Sequence, residues 1–180
     1  LLPDAGLLAL AELLNKVEKL GKWPRDLLHG VSVFMLKPGG DPVQPTDYRP
    51  LLILPVVYRL WAATRLRHLA GWVAHWQLDE IYAGVRDKGA ADAWWYDSLF
   101  TEWLVSQDLH FAILDVDIWK CFDQLPRDLV VALAIRVGLP SGVARAYLAF
   151  HTALSVRNSL SQGFGVPYQK PCGIPQGCPF

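Results

Sequence analysis

Residues 110–123 have the sequence HFAILDVDIWKCFD, and this stretch carries most of the information in the chain. A short apolar run leads into two carboxylates, Asp115 and Asp117, and the aromatic residue Phe122 follows the second carboxylate by five positions. An apolar run of this length that ends in polar residues is typical of a buried β-strand that ends at a site.

The apolar run predicts a strand over residues 111–117. Successive side chains of a strand point to opposite faces, so Asp115 and Asp117 would share one face. Leu114 and Val116 would point the other way, into a core. Two carboxylates on one face can bind the same divalent cation, because hard cations prefer oxygen ligands. The stretch therefore predicts a metal site at the end of a strand.

The composition is that of a folded protein. Of the 180 residues, 52% are hydrophobic and eight are Trp, which suffices for a sizeable core and argues against wholesale disorder. The longest apolar stretch, residues 51–58, contains Pro55 and is too short to span a bilayer, and no secretory signal is visible. The three cysteines have no zinc-like spacing and predict neither a disulfide framework nor a metal cage. We expect an intracellular protein, in the nucleus or cytoplasm, without a membrane partner.

Charge is distributed unevenly along the chain although the net charge is zero. Residues 1–70 contain nine basic and six acidic side chains, residues 71–125 contain three and ten, and residues 126–180 contain five and one. An acidic middle with basic flanks suits a metal site bordered by surfaces that bind a polyanion. Ordinary solvated helix faces would give the same distribution, so charge alone does not separate the two interpretations.

Hydrophobic periodicity predicts a mixture of helices and strands. Helical spacing predicts helices over 7–20 (starting near Pro3-Asp4), 57–76, 89–106, 128–137 and 141–150, with Ser141 as a cap. Strand propensity and turn residues predict strands over 31–36 and 51–54, and a hairpin formed by 153–158 and 165–169. Because helices and strands do not alternate strictly, we expect an α+β fold and not a doubly wound sheet.

Several blocks of the chain resemble blocks of the reverse transcriptases of non-LTR retrotransposons, which are related to the group II intron enzymes. In chain order the blocks are GKWP at 21–24 with VSVFMLKPG at 31–39, DYRPL at 47–51 with VYRL at 57–60, YAGVR at 82–86 with GAADA at 89–93, DIWKCFD at 117–123 and GIPQGCP at 173–179. Each block is a weak signal alone, but together they follow the family's order and cover nearly the whole chain. The resemblance implies an α+β right-hand polymerase fold, with an N-terminal extension and fingers in residues 1–110 and the first part of the palm in residues 111–180.

The resemblance also implies an activity, RNA-directed DNA synthesis, with an RNA template, a DNA primer and deoxynucleoside triphosphates as partners. Asp117 is the implied catalytic residue and metal ligand, because the family's ligand precedes an aromatic residue by five positions. The implied cofactor is Mg²⁺ in a two-metal site, with Mn²⁺ as a substitute. The carbonyl of Val116 or Ile118 would add a ligand, and Asp115 would be an outer-shell group or, alternatively, a solvated or capping residue.

Five further residues would contact the nucleotide if the resemblance holds. Lys37 and Arg49 would close on the triphosphate, and Phe122 would lie under the sugar, where its volume excludes a 2′-hydroxyl. Gln176 would hydrogen-bond to the nucleotide or template base, and Gly177 would admit it closely. Each has an ordinary alternative: the cations could be solvated loop residues, Phe122 a core residue, and the Pro-Gln-Gly run a turn.

The sequence departs from the family pattern at two places. Trp119 occupies the second position after Asp117, where Lys or a small polar residue is more usual, so a contact there is in question. The sequence stops at Phe180, before the hairpin that carries the family's aspartate pair, and it does not begin with Met. We therefore expect a fragment that ends inside the second palm motif and is catalytically incomplete by itself.

Other classes of protein share parts of this pattern. Asp115-Val-Asp117 after an apolar run also resembles the start of haloacid-dehalogenase-type phosphotransferases, in which the first Asp is a nucleophile, and the metal-binding pair of some glycosyltransferases. Neither class accounts for Arg49-Pro50 or for residues 173–179. A third possibility is a decayed or domesticated reverse-transcriptase relative that binds RNA or protein without catalysis.

Overall fold

The computed structural model describes residues 3–160 and 163–180. Within these residues the protein is α+β, as the sequence predicts. The helices are α1 (Asp4–Leu20), α2 (Val56–Trp76), α3 (Ala90–Ser106), α4 (Cys121–Gln124), α5 (Arg127–Arg136) and α6 (Ser141–Ala153). The strands are β1 (His29–Leu36), β2 (Tyr48–Ile53), β3 (Ser155–Leu160) and β4 (Gly163–Phe164). No helix in the described part of the chain has the length and hydropathy needed to cross a bilayer.

The chain forms two compact units, and each is described by itself. The first unit comprises Leu1–Trp72 and Lys120–Phe180, and the second comprises Val73–Trp119. The sheet and the helices α1, α4, α5 and α6 belong to the first unit, whereas α3 belongs to the second. This division does not test the predicted boundary between fingers and palm at residue 110, which stays a prediction.

The sheet of the first unit has the strand order β2-β1-β3-β4. β1 and β2 form an antiparallel hairpin in which Ser32 lies opposite Leu52. β3 runs parallel to β1, with Asn158 opposite Ser32, and β4 is antiparallel to β3. β1 and β2 confirm the two strands predicted in this part of the chain, and the central strand β1 is paired on both sides.

A hairpin lies where one is predicted between 153 and 169, but its second arm is not the continuous strand predicted over 165–169. β3 begins at Ser155, and the second arm consists of β4 and an isolated bridge between Val156 and Tyr168. Part of the predicted connection, residues 161–162, lies outside the described residues. The return of the chain beside β3 brings residues after 168 back over the sheet.

Aromatic side chains form the core of the first unit. Trp23, Tyr58, Trp61 and Phe150 are all buried. The rings of Tyr58 and Phe150 stack with centroids 3.6 Å apart, and Trp23 meets Trp61 edge to face at 5.5 Å. The indole N–H of Trp23 donates to the carbonyl of Ala146 at 2.8 Å, so its polar atom is satisfied inside the core. These contacts pack α2, α6 and the segment after α1 together.

The first helix ends where the sequence predicts and is tied to α2 by a carboxylate. Gly21 adopts a left-handed conformation, with φ of 64°, and its N–H donates to the carbonyl of Val17 at 2.7 Å. Glu18, in the last turn, accepts hydrogen bonds from the indole of Trp61 at 2.7 Å and from the guanidinium of Arg65 at 2.9 Å. The charged end of α1 is therefore anchored over the aromatic core.

Two helices begin after prolines. Pro126 precedes α5, whose bounds lie within one residue of the predicted 128–137, and Pro140 precedes α6. The prediction that Ser141 caps α6 is wrong, because Pro140 occupies the cap position and makes no side-chain cap bond, while Ser141 is the first helical residue. The restricted backbone of proline starts this helix without a side-chain cap.

The strand predicted over residues 111–117 is wrong, because this segment has no regular secondary structure. Leu114 and Val116 are 86% and 76% exposed, and do not point into a core. A strand forms only when a neighbouring strand supplies its hydrogen bonds, and in the described part of the chain the four strands pair with one another and not with this segment. Residues 111–117 thus have the composition of a strand but pair with none of the strands in the described part of the chain.

The helical spacing of Trp94 and Trp95 predicts that both are core residues, and this prediction is wrong as well. Both lie on α3 and are exposed, and none of the residues of this helix is buried. The large apolar side chains of α3 are distributed around its whole circumference. Its sequence therefore has no distinct polar face that would indicate which side packs against other elements. In the second unit, the only other regular element among the described residues is the last turn of α2, residues 73–76.

Candidate functional site

A cavity of about 260 Å³ lies on one face of the sheet in the first unit. Its floor is formed by alternating residues of three strands: Ser32, Phe34, Pro50, Leu52, Val156 and Asn158. Its roof is formed by Asp123 of α4 and by Tyr168, Lys170, Pro175 and Gln176. We call residues 168–178 the roof segment. The cavity therefore lies between a regular sheet and an irregular segment that is distant in sequence.

The floor follows from the pleat of the strands. Residues two apart on a strand share a face, so Ser32 and Phe34 of β1 lie on the same side. Cross-strand pairing then aligns Leu52 and Asn158 on either side of Ser32. Ser32 is only 5% exposed, which makes it one of the few buried polar residues, and it lies in the centre of the floor.

The roof segment is attached to β2 by its backbone. The N–H of Leu52 donates to the carbonyl of Gln176 at 2.8 Å. Gly177 has a φ of 109°, and a Cβ atom at this position would lie 2.5 Å from the carbonyl oxygen of Leu52. Glycine is therefore required here for close approach to β2, a reason that the sequence did not reveal. The predicted contact of Gly177 with a nucleotide or base stays a prediction.

The same segment is attached to α4 at its other end. The N–H of Ile174 donates to the carbonyl of Phe122 at 2.7 Å, and the N–H of Gly173 donates to that of Leu125 at 2.9 Å. A Cβ atom on Gly173 would lie 2.7 Å from the carbonyl oxygen of Asp123, so the two segments are in backbone contact. The structure thus brings Phe122 and Gln176 onto two segments that are bonded to each other.

Phe122 is exposed, so the alternative that it is an ordinary core residue does not hold in this structure. Its neighbour Asp123 lies in the roof of the cavity, where its Oδ1 is 2.8 Å from the Nζ of Lys170. The position of Asp123 predicts a residue that caps the turn into the next helix, but its carboxylate pairs with Lys170, a partner that the sequence does not indicate. A separation of 47 residues between Asp123 and Lys170 leaves no local signal in the sequence.

Lys37 and Arg49 do not line the cavity. Lys37 follows β1 directly, and its Nζ donates to the carbonyl of Thr46 at 2.9 Å. Arg49 lies near the start of β2, next to Pro50, so strand alternation places its side chain on the opposite face from the floor. Both cations are exposed and lie toward the turn of the β1–β2 hairpin. Their predicted contact with a triphosphate is not tested.

The residues predicted to bind metal, Asp115, Val116, Asp117 and Ile118, belong to the second unit and are all exposed. They lie in the irregular segment before α4, so no strand fixes the two carboxylates on one face. Their carboxylate and carbonyl oxygens are the donors that Mg²⁺ prefers, which fits the implied cofactor chemically. Among residues 3–160 and 163–180, no three His, Cys, Asp or Glu side chains form a group that could hold a metal ion.

A buried polar cluster beneath the roof segment was not predicted. The hydroxyl of Tyr58 lies 2.9 Å from Nε2 of His151 and 3.2 Å from Sγ of Cys178. Burial lowers the pKa of His151 to about 3, and the nearby guanidinium of Arg127 acts in the same direction. Burial also raises the pKa of Tyr58 and of Cys178, so all three groups are neutral near pH 7. The cluster holds the end of the roof segment against α2 and α6.

Comparison with models of known protein families and with curated proteins finds no match for this chain. The functional assignment below therefore depends on the sequence blocks and on the geometry of the first unit.

Proposed function

We propose that this chain is the fingers and the first part of the palm of an RNA-directed DNA polymerase of the non-LTR retrotransposon type. One observation carries the proposal. The roof segment, which contains the GIPQG block, is bonded to β2, which contains the RPL part of a fingers block, and to α4, which contains the CFD end of the first palm block. Three blocks that are far apart in sequence thus adjoin one cavity, as residues that act on one substrate would.

The chemistry of such an enzyme is phosphoryl transfer, in which the 3′-oxygen of the primer attacks the α-phosphate of a nucleotide. Catalysis then consists mainly of positioning and of neutralising charge. Lys37 and Arg49 would bind the triphosphate, since Arg presents a planar fork to phosphate oxygens and Lys a point charge. Both lie on the exposed end of the β1–β2 hairpin, where a mobile polyanion could reach them.

Phe122 and Gln176 would select the nucleotide. Phe122 is exposed, so its ring is available to contact a sugar and to exclude a 2′-hydroxyl by volume. Gln176 lines the cavity and has an amide that both donates and accepts hydrogen bonds. Gly177 would allow the chain beside Gln176 to approach a base closely while it also packs against β2.

Asp117 would be the principal ligand of Mg²⁺ (or Mn²⁺), with the carbonyl of Val116 or Ile118, and Asp115 would support it. A bound metal ion of this kind stabilises the charge on the attacking and leaving oxygens. The partners are an RNA template, a DNA primer and deoxynucleoside triphosphates, and the site of action is inside the cell, in the nucleus or cytoplasm. The basic flanks of the chain, residues 1–70 and 126–180, suit the nucleic acid.

The test is templated DNA synthesis by the full-length protein. With a DNA primer on an RNA template and Mg²⁺, we expect extension in which the template base dictates the nucleotide added. Omission of the matching nucleotide must stop the product at that position. RNA binding without any extension, under conditions that support a known reverse transcriptase, would instead identify a module that binds RNA and performs no synthesis.

A further inference from the structure

The ion pair between Asp123 and Lys170 lies in the roof of the cavity. Oδ1 of Asp123 is 2.8 Å from Nζ of Lys170, and both residues line the cavity together with Gln176. The side chains are 35% and 33% exposed, respectively. A partly exposed ion pair contributes little to the free energy of unfolding, because solvent screens the two charges. Stabilisation of the whole fold is therefore too small an effect to be the main role of this ion pair.

The ion pair lies near the start of the roof segment, which is attached to the rest of the unit at several points. The backbone carbonyl of Lys170 accepts a hydrogen bond from the guanidinium of Arg127, which is buried. From there the roof segment runs to Ile174, which is bonded to Phe122, and to Gln176, which is bonded to Leu52. The attachment at Lys170 is therefore one of several that together set the position of Gln176 relative to Phe122.

We propose that Asp123 and Lys170 are positioning residues that fix the placement of Gln176 relative to Phe122 and thereby control the choice of nucleotide. The effect on nucleotide choice rests on the proposed polymerase function, whereas the positioning itself does not. The side-chain pair supplements the two backbone hydrogen bonds between α4 and the roof segment. Its loss should therefore loosen the alignment of the two segments without unfolding the protein.

The positioning is tested first by hydrogen exchange in this chain. In Lys170→Met we expect the amides of Gly173 and Ile174 to exchange about tenfold faster, because the local opening of the segment becomes easier. Lys170→Arg, which keeps the cation, should retain slow exchange, and the control Lys16→Met, on the exposed face of α1, should change nothing. The midpoint of thermal unfolding should stay the same in all three variants. Unchanged exchange at both amides in Lys170→Met would overturn the proposal.

A second variant distinguishes the loss of the ion pair from a folding defect in Lys170→Met. Asp123→Asn breaks the same ion pair from α4, so it should accelerate exchange at the same amides as Lys170→Met. Acceleration in only one of the two variants would show that the effect comes from that side chain and not from the pair, and would overturn the proposal too.

The consequence for nucleotide choice is measured in the full-length protein. Lys170→Met should lower the ratio of kcat/KM for deoxynucleotides over ribonucleotides about tenfold, and Lys170→Arg should preserve it. If the wild-type protein extends primers and Lys170→Met keeps the wild-type ratio, the proposed control of nucleotide choice is overturned while the polymerase function stands. If the wild-type protein extends no primer, the polymerase function fails and hydrogen exchange alone decides the positioning.

Discussion

Gly177 shows how one residue can have two reasons for its identity. The Pro-Gln-Gly run suggested a glycine that lets a nucleotide or base approach, yet in the structure the close neighbour of Gly177 is the carbonyl oxygen of Leu52. The positive φ of 109° adds a second restriction, because side-chain-bearing residues rarely adopt it. Packing against β2 is thus sufficient to require glycine before any ligand is considered.

Gly177→Ala should therefore destabilise the protein through a backbone clash. We expect a loss of about 1–3 kcal/mol from the free energy of unfolding, measured by urea denaturation, because strain at positive φ and the contact with Leu52 act together. Gly39→Ala is the matched control, since Gly39 also has positive φ (74°) but has no atom within 4 Å of its Cβ position. Equal losses in the two variants would contradict the close approach.

Individual site residues were predictable only to the extent that local sequence encodes them. Phe122 is exposed, and its predicted contact with a sugar stays a prediction. The ion pair of Asp123 with Lys170 and the hydrogen bond of Leu52 to Gln176 could not be predicted, because they join residues that are far apart in the chain. Such contacts depend on the tertiary arrangement of the roof segment and leave no spacing pattern.

At the scale of elements, a buried polar cluster joins α2, α6 and the roof segment. Tyr58, His151 and Cys178 come from these three elements, and Phe150 and Tyr147 of α6 enclose them with aromatic rings. Burial penalises the charged form of each titratable member, so the cluster is built to be neutral. A change in its protonation must therefore weaken the attachment of these elements.

The stability of the protein should accordingly fall in mild acid. Unfolded His151 binds a proton near pH 6.5, but burial lowers its pKa in the folded protein to about 3. Between these values the unfolded chain binds more protons, so the free energy of unfolding falls as the pH is lowered from 6.5 toward 3, and the full contribution is present above 6.5. The slope attributable to this residue is at most about 1.4 kcal/mol per pH unit.

Urea denaturation between about pH 7 and pH 5 measures this slope. His151→Gln removes the titrating group while keeping a side chain that can hydrogen-bond to Tyr58, so the variant should lose this part of the pH dependence. His110→Gln, at an exposed position, should keep the wild-type profile. A wild-type slope in His151→Gln would mean that other groups cause the acid sensitivity.

The helices were predicted well from local sequence, whereas the strand over residues 111–117 was not. Helices α1 and α2 follow from the spacing of their apolar residues and from Gly21 at the end of α1. The segment 111–117 has the composition of a strand, but a strand also needs a partner, and sequence composition does not show whether one is present. Local propensity is therefore a sound guide to helices here and an incomplete guide to strands.

At the scale of the whole molecule, the α+β class and most element bounds followed from the sequence. The cavity on the sheet did not, because it is created by the return of residues 168–178 over β1, β2 and β3. The contacts of the roof segment with β2 and α4 bring three of the sequence blocks together, and the role of these blocks stays a prediction. The proposed polymerase function rests both on the sequence blocks and on the contacts of the roof segment.

The most direct measurement of that function compares Asp117→Asn with Asp108→Asn in RNA-templated primer extension by the full-length protein. Both changes remove one negative charge from an exposed aspartate of the same unit, and Asn tolerates the positive φ at residue 108. We expect Asp117→Asn to reduce Mg²⁺-dependent extension by at least about a hundredfold with RNA binding nearly unchanged, because a ligand of the metal site is lost. Asp108→Asn should extend primers as the wild type does. Extension at the wild-type rate by Asp117→Asn would contradict the account.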